Sequence, residues 1–210
     1  IRSVLSFGHS RFRAKVVLVT SAEQDEGKTT FALSLAANTA RCGQRALVID
    51  CDMRNPSAMR VIGGVSVLHN SQMPVDTLLA GLERDVLPGV DILTPEGMLH
   101  RGGGAMLLPE ELGQILSHVR SQYDMIILDT PPALAFPDAA VLSRQTDGVV
   151  MVVKWGQTSP STLVQAMRAL RTYDARTLGA VLTQAPPNSL GEAEKHPFRI
   201  YSHYGLLPPG

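Results

Sequence analysis

Val16-Val17-Leu18-Val19-Thr20-Ser21-Ala22-Glu23-Gln24-Asp25-Glu26-Gly27-Lys28-Thr29-Thr30 is the stretch from which the rest of the chain is read. A β-branched apolar run ends in a polar loop, and Gly27-Lys28-Thr29 then opens a helical pattern. Backbone N–H groups gathered in a loop at a helix N-terminus make an anion site. Lys28 adds a positive charge for nucleotide phosphates, and the Thr29 hydroxyl is a hard oxygen ligand suited to Mg²⁺. Two letters depart from the ideal G-x-x-x-x-G-K-[ST]. Ala22 holds the first glycine position, and Asp25 places a carboxylate where a small, uncharged side chain suits a loop wrapped on phosphate.

Working outward, Phe31, Leu33, Leu35, Ala36 and Ala40 continue the helix over about 29–42, and Gly43 stops it. Ala46-Leu47-Val48-Ile49 is a continuous apolar run, the pattern of a strand buried on both faces, and it ends in Asp50-Cys51-Asp52-Met53-Arg54. Residues 61–74 read as loop, 75–82 as a short helix, 90–93 as a strand, and Arg101-Gly102-Gly103-Gly104 as a linker. Pro109-Glu110-Glu111 begins a helix to about Ser121. Met125-Ile126-Ile127-Leu128 is the next buried strand, ending in Asp129-Thr130-Pro131-Pro132. A short helix over 138–145, a strand over 148–153, a helix over 159–172 and a strand over 178–182 complete the alternation. This order predicts a doubly wound, mostly parallel α/β sheet with helices on both faces.

Composition agrees with one such domain. The chain has 210 residues, 44% of them hydrophobic, and no net charge, so bulk electrostatics favours neither nucleic acid nor an anionic membrane as partner. No apolar run approaches the roughly 18 residues that span a bilayer. Cys42 and Cys51 form no C-x-x-C and fit a reduced compartment. The six histidines lack metal-ligand spacing. Trp155, after a strand, is read as covering the sheet edge in preference to an adenine. Residues 1–15 carry Arg2, Arg11, Arg13 and Lys15 around Phe7 and Phe12, and read as a solvated flank. The start at Ile1 suggests a piece of a longer chain. Residues 16–184 form the expected nucleotide-binding domain, and 185–210, rich in proline and polar residues, an expected weakly ordered tail.

Ligands of open parallel sheets sit at the carboxyl ends of strands. Lys28 and Thr29 follow one strand, Asp50 and Asp52 another, and Asp129 a third. A carboxylate after a strand is ordinarily a cap, but three of them beside Gly-Lys-Thr point to a nucleotide with Mg²⁺.

These elements resemble a known family. Apolar-run Asp50-x-Asp52-x-Arg54 is similar to the Walker A′ motif, and apolar-run Asp129-Thr130-Pro131-Pro132 to the Walker B motif, of the bacterial tyrosine kinases. These are cytoplasmic domains of capsule and exopolysaccharide assembly, related in fold to partition and division-site ATPases. The resemblance, over roughly residues 1–184, implies a P-loop NTPase fold in three α/β/α layers that binds ATP and Mg²⁺. It implies an ATP-dependent tyrosine autokinase with Lys28, Asp50, Asp52 and Asp129 as catalytic groups. Asp25, Glu26, Gly27, Lys28, Thr29, Thr30, Arg54 and Thr183 would surround the nucleotide. Thr29, Asp50 and Asp129 would serve the metal, and Asp50 or Asp52 a base. Arg54 would pair with an acidic neighbour or neutralise phosphate. The implied acceptors are Tyr201 and Tyr204, on the tail of a neighbouring subunit in a homo-oligomer. The implied setting is the inner face of the plasma membrane beside a membrane-anchored polysaccharide co-polymerase, with no nucleic acid. Arg2 would end the family's E-x-x-R-x-x-R oligomerisation motif.

Departures from the pattern leave two rivals, a partition-type ATPase and a regulator that has lost catalysis. The loop reads Gln24-Asp25-Glu26-Gly27-Lys28 where the family usually has Pro-Gly-Glu-Gly-Lys, Thr183-Gln184 stand where an adenine-binding Asn is common, and the tail has only two tyrosines. Glu23 occupies the place of the division-site ATPases' signature lysine, which counts against that relative.

Overall fold

A computed structural model describes residues 14–63, 79, 81–94 and 106–186. Among these, the chain runs β1 (Val16–Ser21), α1 (Lys28–Ala40), β2 (Ala46–Asp50), α2 (Ala58–Val61), β3 (Leu82–Leu87) and β4 (Val90–Leu93). It continues with α3 (Pro109–Val119), β5 (Met125–Asp129), α4 (Asp138–Leu142), β6 (Gly148–Lys154), α5 (Pro160–Arg171) and β7 (Thr177–Thr183). The strands form one sheet in the order β3-β4-β2-β5-β1-β6-β7. All pairings are parallel except that of β3 with β4.

Alternation along the strands divides the core into two layers. Val16, Leu18, Leu47, Ile49, Ile126 and Leu128 pack with α3, α4 and α5 on one face. Val17, Val19, Ala46, Val48 and Ile127 pack with α1 and α2 on the other. Every residue of β1, β2 and β5 is buried, which explains why these strands read as unbroken apolar runs. Three layers, α/β/α, are the result.

The chain reverses direction of travel across the sheet at β1, which has β5 on one side and β6 on the other. Connections from β1 and from its neighbour therefore part above the strand ends and open a crevice there. Asp50 and Asp129 lie level across β2 and β5, so both carboxylates arrive at the same edge.

One element differs from expectation. Leu82, expected to close a helix, instead opens β3, an antiparallel edge strand reading Leu-Glu-Arg-Asp-Val-Leu. Its charged middle hides the alternation, and Asp85 at φ 50 breaks the register with β4. The flank residues Arg2, Arg11 and Arg13, the glycines 102–104, and Tyr201 and Tyr204 lie outside the described residues.

Candidate nucleotide site

Gly27 is the N-cap of α1, at φ 87, a left-handed conformation that favours glycine. With no side chain at the cap and no acid in the first turn, no side-chain hydrogen bond closes the helix N-terminus. The sequence thus leaves an open array of N–H donors with positive helix-end potential. Asp25 also adopts positive φ, 58°, which aspartate tolerates better than most residues. Its side chain is exposed, and its carbonyl accepts from Gln184 Nε2 at 3.1 Å. Ala22 is buried in the core, so the first glycine position here is a packing site.

Around this loop lies a cavity of about 560 Å³. Asp25, Gly27, Lys28, Thr29, Thr30, Asp52, Arg54 and Asp129, all expected from the sequence, line it. Gln184 lines it too, beside the Thr183 expected there, and so do Asn55, Ser57, Phe136 and Lys154, which sequence reasoning missed. Lys154 had a signal: it ends β6 on the same edge that carries the other groups. Ser57 shares a 2.8 Å hydrogen bond with the Thr29 hydroxyl across 28 residues of chain, with no local signature.

Three expected residues sit differently. Glu26 is buried, with its carboxylate turned away from the cavity. It accepts from the Glu23 N–H at 2.6 Å, the Lys154 N–H at 3.3 Å and the Thr158 hydroxyl. It therefore ties the loop to the end of β6 and leaves only its backbone for a ligand. The Thr183 hydroxyl donates to the Glu26 carbonyl at 2.6 Å, and Gln184 takes its expected place on the cavity wall. Asp50 accepts from the N–H groups of Asp52, Ser57 and Ala58, at 3.2, 2.7 and 2.9 Å. Both its oxygens are committed to shaping the loop before α2, and it lines a smaller adjoining cavity of about 240 Å³. Trp155 donates its backbone N–H to the Thr183 carbonyl, knitting β6 to β7, and does not line the cavity around the loop.

Asp129 is treated in the opposite way. It is 2% exposed, and its Oδ1 has no hydrogen-bond partner among the described residues. Burial, then the nearby Asp50 charge, lifts its carboxyl to about 7, against the pull of Thr29 and Lys28. Burial likewise lifts Asp50 to about 6, against its backbone donors. Asp52, half-buried, is raised by burial and drawn back by the Asn55 N–H, Lys28 and Arg54. The Thr130 hydroxyl on the Val19 carbonyl and the Thr20 hydroxyl on the Pro131 carbonyl, both 2.9 Å, lock the loop after β5 to β1. The Asp129 carboxyl is thereby held beside the Thr29 hydroxyl and Lys28. Among the described residues no group of His, Cys, Asp or Glu could hold a metal by itself. The Thr29 hydroxyl and the Asp129 carboxylate suit Mg²⁺ brought with phosphate, which they would hold and whose charge would offset that of the phosphate.

Fold and site together define a P-loop ATPase-type domain, and residues 14–178 match the AAA domain family. The chain is 32% identical over 188 residues to tyrosine-protein kinase YwqD of Bacillus subtilis strain 168, covering 87% of this chain and 77% of that one. It is 28% identical over 202 residues to succinoglycan biosynthesis transport protein ExoP of Rhizobium meliloti, covering 91% of this chain and 26% of that one. The kinase domain of Escherichia coli tyrosine kinase ETK superposes with a TM-score of 0.69 at 26% identity, over 88% of this chain and 74% of that one. The chain belongs to the bacterial tyrosine kinase family, and it spans about a quarter of the length of longer relatives such as ExoP.

Proposed function

We propose that the chain binds ATP·Mg²⁺ at the β1, β2 and β5 ends and transfers the γ-phosphoryl group to tyrosine hydroxyls. The observation that carries this reading is buried Asp129, whose Oδ1 has no hydrogen-bond partner among the described residues, lining the same cavity as Lys28 and Thr29. An acceptor-only oxygen in that position is satisfied by metal-bound water. Lys28 and the N–H groups after Gly27 hold the phosphates. Thr29 and Asp129 would hold the metal and its water, and the metal would supply charge that offsets the phosphates. Asp50 keeps the loop before α2 in shape, as its backbone contacts suggest, and takes no part as metal ligand.

Asp52 is the group we assign as base, because it lines the cavity while Asp50 has both oxygens occupied. In the step, a tyrosine oxygen bonds to the γ-phosphorus as the bond to the β,γ-bridging oxygen breaks. ADP leaves, and the phenolic proton passes to the Asp52 carboxylate. The acceptors we assign are Tyr201 and Tyr204, reached in trans within a homo-oligomer at the inner face of the plasma membrane. There the domain would regulate exopolysaccharide or capsule assembly with a membrane-anchored co-polymerase, a setting suggested by relatives such as ExoP. Incubation with ATP and Mg²⁺ followed by phosphosite mass spectrometry is the test. Phosphotyrosine at 201 or 204, absent in Lys28→Ala, is the expected result; ATP consumed without phosphotyrosine would leave an ATPase.

A further inference from the structure

Arg54 meets both expectations open to it, an acidic partner and a place among the phosphates. Its guanidinium lines the nucleotide cavity while Nη1 donates to Asp138 Oδ1 at 2.6 Å. The same guanidinium lies over the Phe136 ring, 4.0 Å from the centroid. Asp138 opens α4 and is completely buried, whereas the Arg54 side chain is 27% exposed. A carboxylate without solvent keeps its charge only beside a fixed cation. A planar guanidinium held by a carboxylate and a ring loses the rotamer freedom of a surface arginine. Asp138 Oδ2 has no partner among the described residues, so a second Arg54 nitrogen can take it without competition. Arg54 also lines the smaller cavity, with Asp50 and Thr94, and so borders both spaces.

We propose that Asp138 is a positioning residue: through Arg54 it presents a pre-set cation to the negative charge that builds on the transferred phosphoryl group. The proposal rests on the nucleotide reading above and adds a division of labour to it. Lys28, on the phosphate loop, grips the nucleotide throughout. Arg54 sits on the opposing loop and is held by residues 82 and 84 positions further along the chain, Phe136 and Asp138. A cation that needs no reorganisation at the moment of reaction favours the transition state over the ground state.

The test measures binding of Mg·ADP and of Mg·ADP with aluminium fluoride, a mimic of the transferring phosphoryl group, by calorimetry on the full chain. Asp138→Asn should weaken the aluminium fluoride complex about 10–100-fold and Mg·ADP by less than about 3-fold. In an Arg54→Gln background, adding Asp138→Asn should change neither further, because the effect travels through Arg54. Should Asp138→Asn not fold, Arg54→Lys replaces it: the charge stays, the fork that meets Asp138 goes, and the same selective loss is expected. Equal losses in both complexes, or an undiminished effect of Asp138→Asn in the Arg54→Gln background, would overturn the proposal and leave the nucleotide reading standing. Wild-type protein that binds neither complex overturns both.

Discussion

Asp91 and Asp129 are both buried in the same sheet, near opposite ends of parallel strands, and their surroundings treat them in opposite ways. Asp91, near the start of β4, accepts from the Tyr123 hydroxyl at 2.5 Å, Arg45 Nη2 at 2.8 Å and the Asp85 N–H at 2.9 Å. Arg84 stands 3.8 Å away, and Arg45 also lies over the Tyr123 ring. Burial and the bond to Asp91 push the Tyr123 hydroxyl up to about 12. Asp129, at the end of β5, keeps one oxygen without a partner among the described residues and has Asp50 level with it on the next strand. One end of the sheet satisfies its charge and gains stability. The other leaves charge unsatisfied, at a cost to folding that a bound metal and nucleotide would offset.

The sharpest break of this contrast is Asp129→Asn. Removing the carboxylate should cut Mg²⁺-dependent turnover by about 10²–10³-fold, measured as phosphate transfer or ADP release. The same substitution should make the nucleotide-free protein harder to unfold at pH 8, since an amide there carries no buried charge. A variant that turns over normally would make Asp129 a structural group like Asp91.

At the other end, Asp91→Ala should do the reverse. It strips the Tyr123 hydroxyl and Arg45 of their shared acceptor, costing about 2–4 kcal/mol in urea unfolding, while nucleotide affinity stays within about twofold because the site lies at the far edge. Loss of nucleotide affinity without loss of stability would contradict the division.

pH separates the ends as well. Asp129 at about 7 and Asp50 at about 6 are both raised from an ordinary 3.8. Between about pH 4 and 7 the folded protein thus holds protons that the unfolded chain has released. Stability of the nucleotide-free protein should fall as pH rises through that window and level off above it. Urea midpoints at pH 5 and pH 8 should show that fall in wild type and a smaller one in Asp129→Asn. A wild type that gains stability over the interval would contradict it. The smallest effect is expected from Tyr123→Phe, about 1 kcal/mol in the same assay, because Arg45 and the Asp85 N–H remain on Asp91.

The comparison also shows what a sequence can disclose. β1, β2 and β5 were legible because burial on both faces leaves an unbroken apolar run, and the site edge because Asp50 and Asp129 directly end such runs. β3 was not legible: an edge strand with Glu83, Arg84 and Asp85 at its middle carries neither alternation nor apolar run. The pairing of Arg54 with Asp138, and the Asp91 cluster drawn from residues 45, 85 and 123, depend on strand order, which no local spacing encodes. The family resemblance put Glu26, in the loop, and Thr183, at the end of β7, near the nucleotide. The Glu26 carboxylate instead bonds to the end of β6, and the Thr183 hydroxyl to the Glu26 carbonyl, a choice of direction that composition does not reveal.

Thermal unfolding with and without millimolar ATP and Mg²⁺ tests the central claim most directly, that the unsatisfied end of the sheet is a nucleotide site. Wild type should gain about 2.7 kcal/mol at a hundredfold excess over the dissociation constant, seen as a raised melting temperature, and Lys28→Ala should gain far less. A wild-type melting temperature unmoved by ATP and Mg²⁺, or a rise that Lys28→Ala shares in full, would contradict the account.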